Sequence, residues 1–311
     1  MATSVQQAVT SIGAGTAEEW VLPKETPRLV QWGRLARRNP IGVVALFIVV
    51  AFCFLGVFGP ALAPHDPSYI TPAERYQSPS WDHPFGTNKF GEDMFSRVLT
   101  GARISFLIGL MGVTIGYFTG AFLGIVSGYY QRWLDYVIQR GGEAWAAFPV
   151  LILYFAFITA LGQGLKTIAI VIVISAIFGG SRVLRAASLI TKHSDYVDAS
   201  RSLGAGDWWI LWKHIIPNVM PIIIVGASSV FAVSVLAEAA LSFLGIGVDP
   251  GTPSWGIDMS DTHTPNLRDA SRHPYLVLFP GMAISLVVLG FNMLGDTLRD
   301  ILDPRLRGSL N

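Results

Sequence analysis

The chain has 311 residues, of which 51% are hydrophobic and only 14% are charged. Soluble domains carry about 25% charged residues, and disordered chains combine low hydrophobicity with high charge, so neither class fits. The net charge of +1 argues against a basic nucleic-acid binder, and the lone cysteine, Cys53, excludes a disulfide scaffold. The composition indicates a membrane protein with several spans.

The first 40 residues contain no apolar stretch and end in a basic group, Arg34, Arg37 and Arg38. We therefore expect no cleavable signal peptide. Residues 1–40 are predicted to be a cytoplasmic N-terminal arm that ends in a short interfacial helix, and residues 41–311 a transmembrane domain whose first span is an uncleaved anchor.

Six apolar segments are long enough, or nearly so, to cross the hydrocarbon core, which takes about 20 residues. The fourth has a short apolar part between Lys166 and Arg182, and Pro149 lies inside the third. Neighbouring helices can satisfy the carbonyl that such a proline frees. The predicted spans are about residues 41–62, 104–127, 144–165, 167–187, 219–241 and 275–296.

The distribution of Lys and Arg predicts the orientation of these spans. The N-terminus, residues 127–143, residues 182–218 and the tail after residue 295 hold 15 of the 22 basic residues. Because cytoplasmic segments are enriched in Lys and Arg, we expect both termini on the cytoplasmic side.

Two outer loops, residues 63–103 and 249–274, are rich in Pro and Gly and are predicted to be irregular. Within the first, residues 92–101 are interpreted as a separate amphipathic helix at the interface, with apolar residues such as Met94 and polar residues such as Arg97.

Four histidines fall in these loops: His65, His83, His263 and His273. They lack the i, i+4 spacing of a zinc-binding helix. We interpret them as solvated loop residues and assign no metal site, with a metal site as the less favoured alternative.

Glycines recur at near-helical spacing in the second span, and small residues at this spacing let helices approach closely. The stripe predicts tight packing either within this chain or against a second subunit, and the spacing favours neither. Its members are Gly109, Gly112, Gly116, Gly120 and Gly124.

The inner segment, residues 182–218, is longer than a simple connection needs, and its pattern is helical. Ser194 or Asp195 can cap a first helix over residues 196–203. Gly204 can end that helix in the left-handed conformation.

A second helix is predicted over residues 208–216, with Asp207 as its cap and Pro217 closing it. The product is a helix-turn-helix on the cytoplasmic face. An alternative is a pair of helices lying on lipid, because tryptophan favours the headgroup region: Trp208, Trp209 and Trp212.

Glu238 lies near the outer end of the fifth span, with Ser242 one turn further on. An ionisable residue in a span is a functional candidate, so both are candidates for an outer gate or pathway. The favoured interpretation of Glu238 is an interfacial carboxylate that caps amides of the outer loop.

One inner motif resembles the EAA loop of ABC importer permeases, whose pattern is Glu-Ala-Ala, three residues, Gly, nine residues, Ile-x-Leu-Pro. The spacing matches throughout, while Asp198, Ser200 and Ile216 depart in residue type. The ending is similar to the His-x-x-Pro-Asn of the dipeptide/oligopeptide branch. The matching residues are Asp198, Ala199, Ser200, Gly204, His214, Pro217 and Asn218.

Other stretches resemble the second, C-type permease subunit of that branch. Residues 83–105 look like its segments His-Pro-x-Gly-Thr-Asp-x-x-Gly-Arg-Asp-x-x-Ser-Arg and Gly-Ala-Arg-x-Ser, from which Asn88 and Glu92 depart. Residues 238–256 and 295–305 are similar to later segments. The resemblance runs from about Arg37 to Leu306.

The resemblance implies an all-α membrane protein with six transmembrane helices in the type I ABC importer permease fold. It implies a cytoplasmic coupling helix between the fourth and fifth spans, and a chain that forms half of a translocation pathway in the inner membrane of a prokaryote. The residues implied to contact the ATPase are Asp198, Ala199, Ser200, Gly204, His214 and Pro217.

The implied partners are a second homologous permease, two ABC ATPase subunits, an extracytoplasmic solute-binding protein and the lipid bilayer, with no nucleic acid. The sequence contains no Gly-x-x-x-x-Gly-Lys-Ser/Thr loop. We therefore expect no enzyme activity and no bound cofactor in this chain itself, with ATP and Mg²⁺ on the partner ATPases.

The resemblance implies a di- or oligopeptide as cargo, with an oligosaccharide, a nickel complex or glutathione as alternatives. A more distant alternative is an ion-coupled secondary transporter, which would need a buried carboxylate at mid-membrane.

Overall fold

The computed structural model describes residues 39–249, 251–260 and 272–302. The chain divides into two compact units, Met1–Pro40 and Ile41–Asn311. The predicted N-terminal arm with its interfacial helix, His263 and the tail after residue 302 lie outside the described residues.

Within the described ranges the protein is helical, and its only β pairing is an isolated bridge between Thr87 and Asp93. The predicted all-α fold is confirmed. In chain order the helices are α1 (Pro40–Leu62), α2 (Met94–Tyr130), α3 (Arg132–Ala146), α4 (Val150–Leu161), α5 (Leu165–Lys192), α6 (Asp195–Ser202), α7 (Asp207–Phe243), α8 (Trp255–Met259) and α9 (Tyr275–Leu302).

Five of these helices, α1, α2, α5, α7 and α9, are long and apolar enough to cross a membrane. A sixth span exists if α3 and α4, which bend by 91° at a short break, are counted as one. Large apolar side chains point outward, such as Phe47 at 72% exposure. That arrangement suits a bundle whose solvent is lipid.

The predicted third span, residues 144–165, is wrong as a single helix. α3 ends at Ala146, and α4 begins only after Pro149. Proline disfavours helical backbone in the residue before it, and its missing N–H cannot continue the hydrogen-bond ladder of α3. The chain therefore turns at this point.

The fourth span, predicted as residues 167–187, is longer at both ends, because α5 begins at Leu165 and continues to Lys192. The charges that appeared to end the span find partners on α3. Arg182 donates to the carbonyl oxygen of Gly142 at 3.3 Å, and Arg185 forms two hydrogen bonds with Asp135, at 2.5 and 2.6 Å.

The predicted interfacial helix over residues 92–101 is also wrong. Asp93 caps α2 by accepting a hydrogen bond from the N–H of Ser96, and α2 runs from Met94 directly into the second span. Met94 and Arg97 are fully buried. Residues that looked amphipathic therefore belong to the packed start of a long helix.

The prediction that Pro217 closes the second helix is wrong. α7 passes through Pro217 and Pro221 and continues to Phe243. A π-helical turn, Leu211–Ile215, lies directly before Pro217. Such wide turns accommodate the missing N–H and the ring of proline within a continuous helix.

The glycine stripe packs within the chain. A β-carbon at Gly120 or Gly124 would collide with the main-chain carbonyl of Ile177 or Ser181 in α5. Toward the start of α2, Gly109 faces a ring of α7. Of the two alternatives for the stripe, the structure shows close helix packing inside this subunit.

The bundle has two ends that matter for function. The loop end carries the segment of residues 63–93 and the segment of residues 244–254, next to the start of α2 and the end of α7. The α6 end carries α6, the end of α5 and the start of α7.

Candidate functional site

At the α6 end, the chain turns between α6 and α7 at Gly204, which has φ of +88°. This positive φ confirms the predicted left-handed turn. Few residues other than glycine adopt this conformation without strain. Ser194 occupies the cap position of α6, but its hydroxyl donates back to the Thr191 carbonyl at 2.6 Å. Gly206, rather than Asp207, occupies the cap position of α7.

The corner formed by residues 195–216 is anchored by apolar side chains. Val197 from α6 and Ile210 from α7 are completely buried against Leu184 of α5. In addition, the Tyr129 hydroxyl at the end of α2 donates to the Asp207 carboxylate at 2.7 Å. The corner is therefore held to the ends of α2 and α5.

Two of the predicted docking residues contact each other. The Ser200 hydroxyl lies 3.0 Å from Nε2 of His214, which connects α6 to α7. The edge of the His214 ring also faces Trp209. Ser200, which departs from the general motif, therefore contacts His214, which belongs to the ending typical of the dipeptide/oligopeptide branch.

The other predicted docking residues, Asp198, Ala199, Gly204 and Pro217, are exposed. Asp198 pairs with Arg201 on the surface at 3.2 Å, a contact that contributes little to stability. Large apolar side chains flank this surface: Leu203, Trp208, Trp209 and Trp212. The corner thus presents small residues beside unusually exposed apolar ones.

At the loop end, Glu238 is completely buried and accepts hydrogen bonds from three serine hydroxyls. They come from α2, from α7 itself and from the segment before α8: Ser105 at 3.1 Å, Ser242 at 2.8 Å and Ser254 at 2.8 Å. The interpretation of Glu238 as an interfacial carboxylate that caps loop amides is wrong. Glu238 and Ser242 do lie together, as predicted from their spacing on one helix.

Arg97 forms a second buried cluster that sequence reasoning missed. Its Nε donates to Asp258 at 2.7 Å, and its Nη1 lies 3.1 Å from Glu92 and 3.0 Å from the Pro67 carbonyl. Burial raises the pKa of the Asp258 carboxyl, and the adjacent guanidinium opposes that rise. The signal available in the sequence was the Ser-Arg ending of the motif over residues 83–97.

Asn88 and Glu92, the two departures from that motif, also meet. The Asn88 amide donates to the Glu92 carboxylate at 2.6 Å, and the Asn88 side-chain oxygen accepts the N–H of Glu92 at 3.1 Å. Glu92 in turn contacts Arg97. The two departures therefore form one hydrogen-bonded unit within the loop end.

The interpretation of His83 as a solvated loop residue is wrong as well. His83 is buried, and its Nδ1 lies 2.9 Å from the Asp93 carboxylate at the start of α2. His65 lies beside it, with the two rings 5.1 Å apart.

Comparison with known proteins decides the family. Residues 120–308 match the family described as the binding-protein-dependent transport system inner membrane component. The chain belongs to this family. Residues 31–79 also match the N-terminal transmembrane domain of oligopeptide transport permease C.

Similar proteins cover nearly the whole chain. The dipeptide transport system permease protein of Alkalihalophilus pseudofirmus is 39% identical over 87% of this chain and 88% of its own length. A putative peptide transport system permease protein of Brucella suis is 39% identical, covering 91% and 94%. The glutathione transport system permease protein of Pectobacterium atrosepticum is 35% identical, covering 91% and 92%.

This permease is therefore a multi-pass inner membrane subunit of a binding-protein-dependent ABC importer, with the type I permease fold. The predicted family is confirmed. Family membership also removes the ion-coupled secondary transporter from the alternatives.

Proposed function

We propose that this permease forms half of a translocation pathway for di- or oligopeptides. The dipeptide and peptide permeases among its relatives support this cargo, since they align over nearly the whole chain. The glutathione permease among the relatives favours glutathione as a second candidate cargo. Glutathione is itself a small peptide with free carboxylates.

We further propose that the corner of residues 195–216 docks an ATPase subunit. The observation that carries this proposal is the combination of an exposed, glycine-hinged turn with a completely buried apolar anchor. Small exposed residues such as Ala199 allow a partner to approach closely, and exposed tryptophans supply apolar contact area. Val197 and Ile210 would then transmit the partner's movement to the bundle.

In the complete importer we propose a second homologous permease, two ATPases that bind ATP and Mg²⁺, and a solute-binding protein. The α6 end and both termini would face the cytoplasm, which the basic residues favour. The loop end would face the binding protein. We propose that Glu238 and Ser242 support an outer gate indirectly, because their contacts hold the segment before α8 in place.

The docking proposal is tested by co-purifying the tagged chain from its native membrane and quantifying the ATPase subunits that accompany it. The test variant is Gly204→Asp, which combines backbone strain with a new charge at the turn. The matched control is Gly206→Asp, because Gly206 has φ of −72° and sits at a helix cap, where aspartate is favourable. Among the described residues, no atom lies within 4 Å of a β-carbon placed at either position.

We expect the ATPases to be lost from the Gly204→Asp sample and retained in the Gly206→Asp sample, while the second permease is retained in both. Equal retention of the ATPases in the two variants would contradict docking at this turn. Absence of ATPases from the wild-type sample would contradict the proposed complex.

The cargo is tested with the complete importer reconstituted in proteoliposomes together with its binding protein. We expect labelled dipeptides or tripeptides to be taken up in an ATP-dependent manner. Uptake of glutathione in preference to unmodified peptides would favour the second candidate.

A further inference from the structure

Three potential metal ligands meet at the loop end although they are far apart in the sequence. His65 follows α1, His83 lies in the middle of the loop and Asp93 caps α2. Each offers a nitrogen or carboxylate oxygen within 4.8 Å of the others. Nδ1 of His65 lies 3.6 Å from Oδ2 of Asp93.

His83 is held between two carboxylates. Its Nδ1 lies 2.9 Å from Asp93, and its Nε2 lies 3.6 Å from Oε2 of Glu74. A neutral imidazole carries one N–H, so when Nε2 directs that N–H toward Glu74, Nδ1 turns a lone pair toward the Asp93 oxygen. Two acceptors that face each other are stabilised by a cation between them.

The distance between His65 and Asp93 fits a shared metal ion better than a direct hydrogen bond. The separation of 3.6 Å between these two side chains exceeds the N–H···O range of about 2.7–3.2 Å. Two ligands bound to tetrahedral zinc at about 2.0–2.2 Å lie about 3.4 Å apart. The Asp93 carboxylate is itself fixed by hydrogen bonds from the N–H and hydroxyl of Ser96, as is common for carboxylates in metal sites.

The surroundings of the cluster favour a cation. The residues open onto a cavity of about 560 Å³ whose walls also include Asp66, Glu74 and Asp82. Among the described residues that line this cavity, none is Lys or Arg. Negative charge that is not balanced by basic side chains concentrates cations in a cleft.

We propose that His65, His83 and Asp93 bind a divalent first-row transition metal, with Glu74 at the cavity rim as the acceptor for the remaining N–H of His83. Two imidazoles with one carboxylate suit zinc, and they suit calcium and magnesium poorly because those ions prefer oxygen ligands throughout. The ion would connect the loop after α1 to the start of α2. The site is independent of the proposed cargo and of ATPase docking.

The test uses the full chain, purified in detergent and stripped with a chelator, and titrated with Co²⁺ and then Zn²⁺. We expect one equivalent of Co²⁺ to produce visible absorption typical of four-coordinate nitrogen and oxygen ligation, and Zn²⁺ to displace it. His65→Ala should weaken binding at least about tenfold. The side chain of His65 is 47% exposed, so its removal should leave the loop folded.

Two further variants keep the result interpretable. Glu74→Gln preserves the shape of the side chain and should weaken metal binding about tenfold. This variant serves as the test if His65→Ala misfolds. His193→Ala removes an exposed histidine at the α6 end and should bind as the wild type does. Zinc should also raise the unfolding temperature of the wild type and of His193→Ala more than that of His65→Ala.

The proposal is overturned if the wild type shows no saturable binding of Co²⁺ or Zn²⁺. It is equally overturned if His65→Ala and Glu74→Gln bind zinc as tightly as His193→Ala does. Either outcome would mean that His83 contacts Asp93 and Glu74 without a metal ion.

Discussion

Arg97 connects several separate segments of the loop end through its guanidinium group. Its guanidinium is completely buried with the carboxylate of Asp258, which lies 161 positions away in the chain. Within the described residues, Nη2 of Arg97 and Oδ2 of Asp258 are buried without a hydrogen-bond partner. The hydrogen-bonding capacity of the Arg97–Asp258 pair is therefore not fully satisfied. The stability of the pair depends on both charges being present.

We predict that Arg97→Ala lowers the free energy of unfolding by about 3–5 kcal/mol, because it leaves the buried carboxylates of Asp258 and Glu92 without their cation. Asp258→Ala should lose less, because Arg97 then keeps its contact with Glu92. Denaturant unfolding of the purified chain in detergent measures the effect. Arg140→Ala is the control, since the Arg140–Glu143 pair is exposed and should change stability by less than about 1 kcal/mol. Equal effects of Arg97→Ala and Arg140→Ala would contradict the prediction.

A second prediction at this scale concerns Ser200 and His214. The hydrogen bond between them should contribute about 0.5–1.5 kcal/mol, measured as the coupling energy in a double-mutant cycle of Ser200→Ala and His214→Ala. Ser202→Ala is the control, because the Ser202 hydroxyl bonds within α6 to the Asp198 carbonyl and should show no coupling to His214. A coupling energy near zero for Ser200 would mean that the contact does not hold the corner together.

At the scale of the elements, α2 and α5 pack closely in the interior of the bundle. Main-chain atoms of the two helices approach at Gly120 and Gly124, so these positions have no room for a side chain. Such packing gives many dispersion contacts and short Cα–H···O contacts without large side chains.

Gly120→Ala should therefore destabilise the protein by about 1–3 kcal/mol, because it forces the helices apart. Gly179→Ala is the matched control on α5. Among the described residues no atom lies within 4 Å of a β-carbon there, so this change should be neutral or stabilise α5 by up to about 1 kcal/mol. Thermal unfolding in detergent compares the stabilities of the two variants. A similar loss of stability in both would show that separation of α2 from α5 does not cause the effect of Gly120→Ala.

Much of the element order was predictable from the sequence, and two of the errors share one cause. Apolar runs located the spans, because the surface of a helix that faces lipid must be apolar. Charged residues were misjudged where their partners are distant in the sequence. Arg182 and Arg185 lie within α5 because their partners, Gly142 and Asp135, lie on another helix, and Glu238 appeared peripheral because Ser105 lies 133 positions away. Local patterns contain no information about such partners.

The turn at Gly204 was predicted correctly, because a glycine between two helical patterns indicates a left-handed conformation at that residue. The contact between Ser200 and His214 was not predicted, although both residues were singled out separately. Their meeting depends on the angle between α6 and α7, which the turn sets. The metal-ligand cluster was missed for the same reason, since His65 and His83 meet only through the path of the loop.

At the scale of the whole molecule, the two ends of the bundle are connected by the same long helices. α2 starts beside the Arg97 and His83 clusters and ends at Tyr129, which contacts the corner. α7 starts in the corner and ends at the Glu238 cluster. α2 and α7 are therefore continuous helical connections between the corner and the loop end.

We predict that Tyr129→Phe uncouples the assembled importer, because it removes the hydrogen bond to Asp207 while leaving the exposed docking surface intact. In proteoliposomes, ATP hydrolysis should be maintained while substrate uptake falls several-fold. Tyr130→Phe is the control, since the Tyr130 side chain is exposed beside it. Parallel loss of hydrolysis and uptake in Tyr129→Phe would indicate failed docking instead of failed transmission.

The glycine face of α2 also bears on how the protein is made. α2 enters the membrane well before α5, because α3 and α4 are synthesised between them. During that interval the groove at Gly120 and Gly124 of α2, which fits the main chain of α5, is open to lipid. Acyl chains fill this groove poorly. Final packing of α2 must therefore wait until residues 165–192 have been inserted.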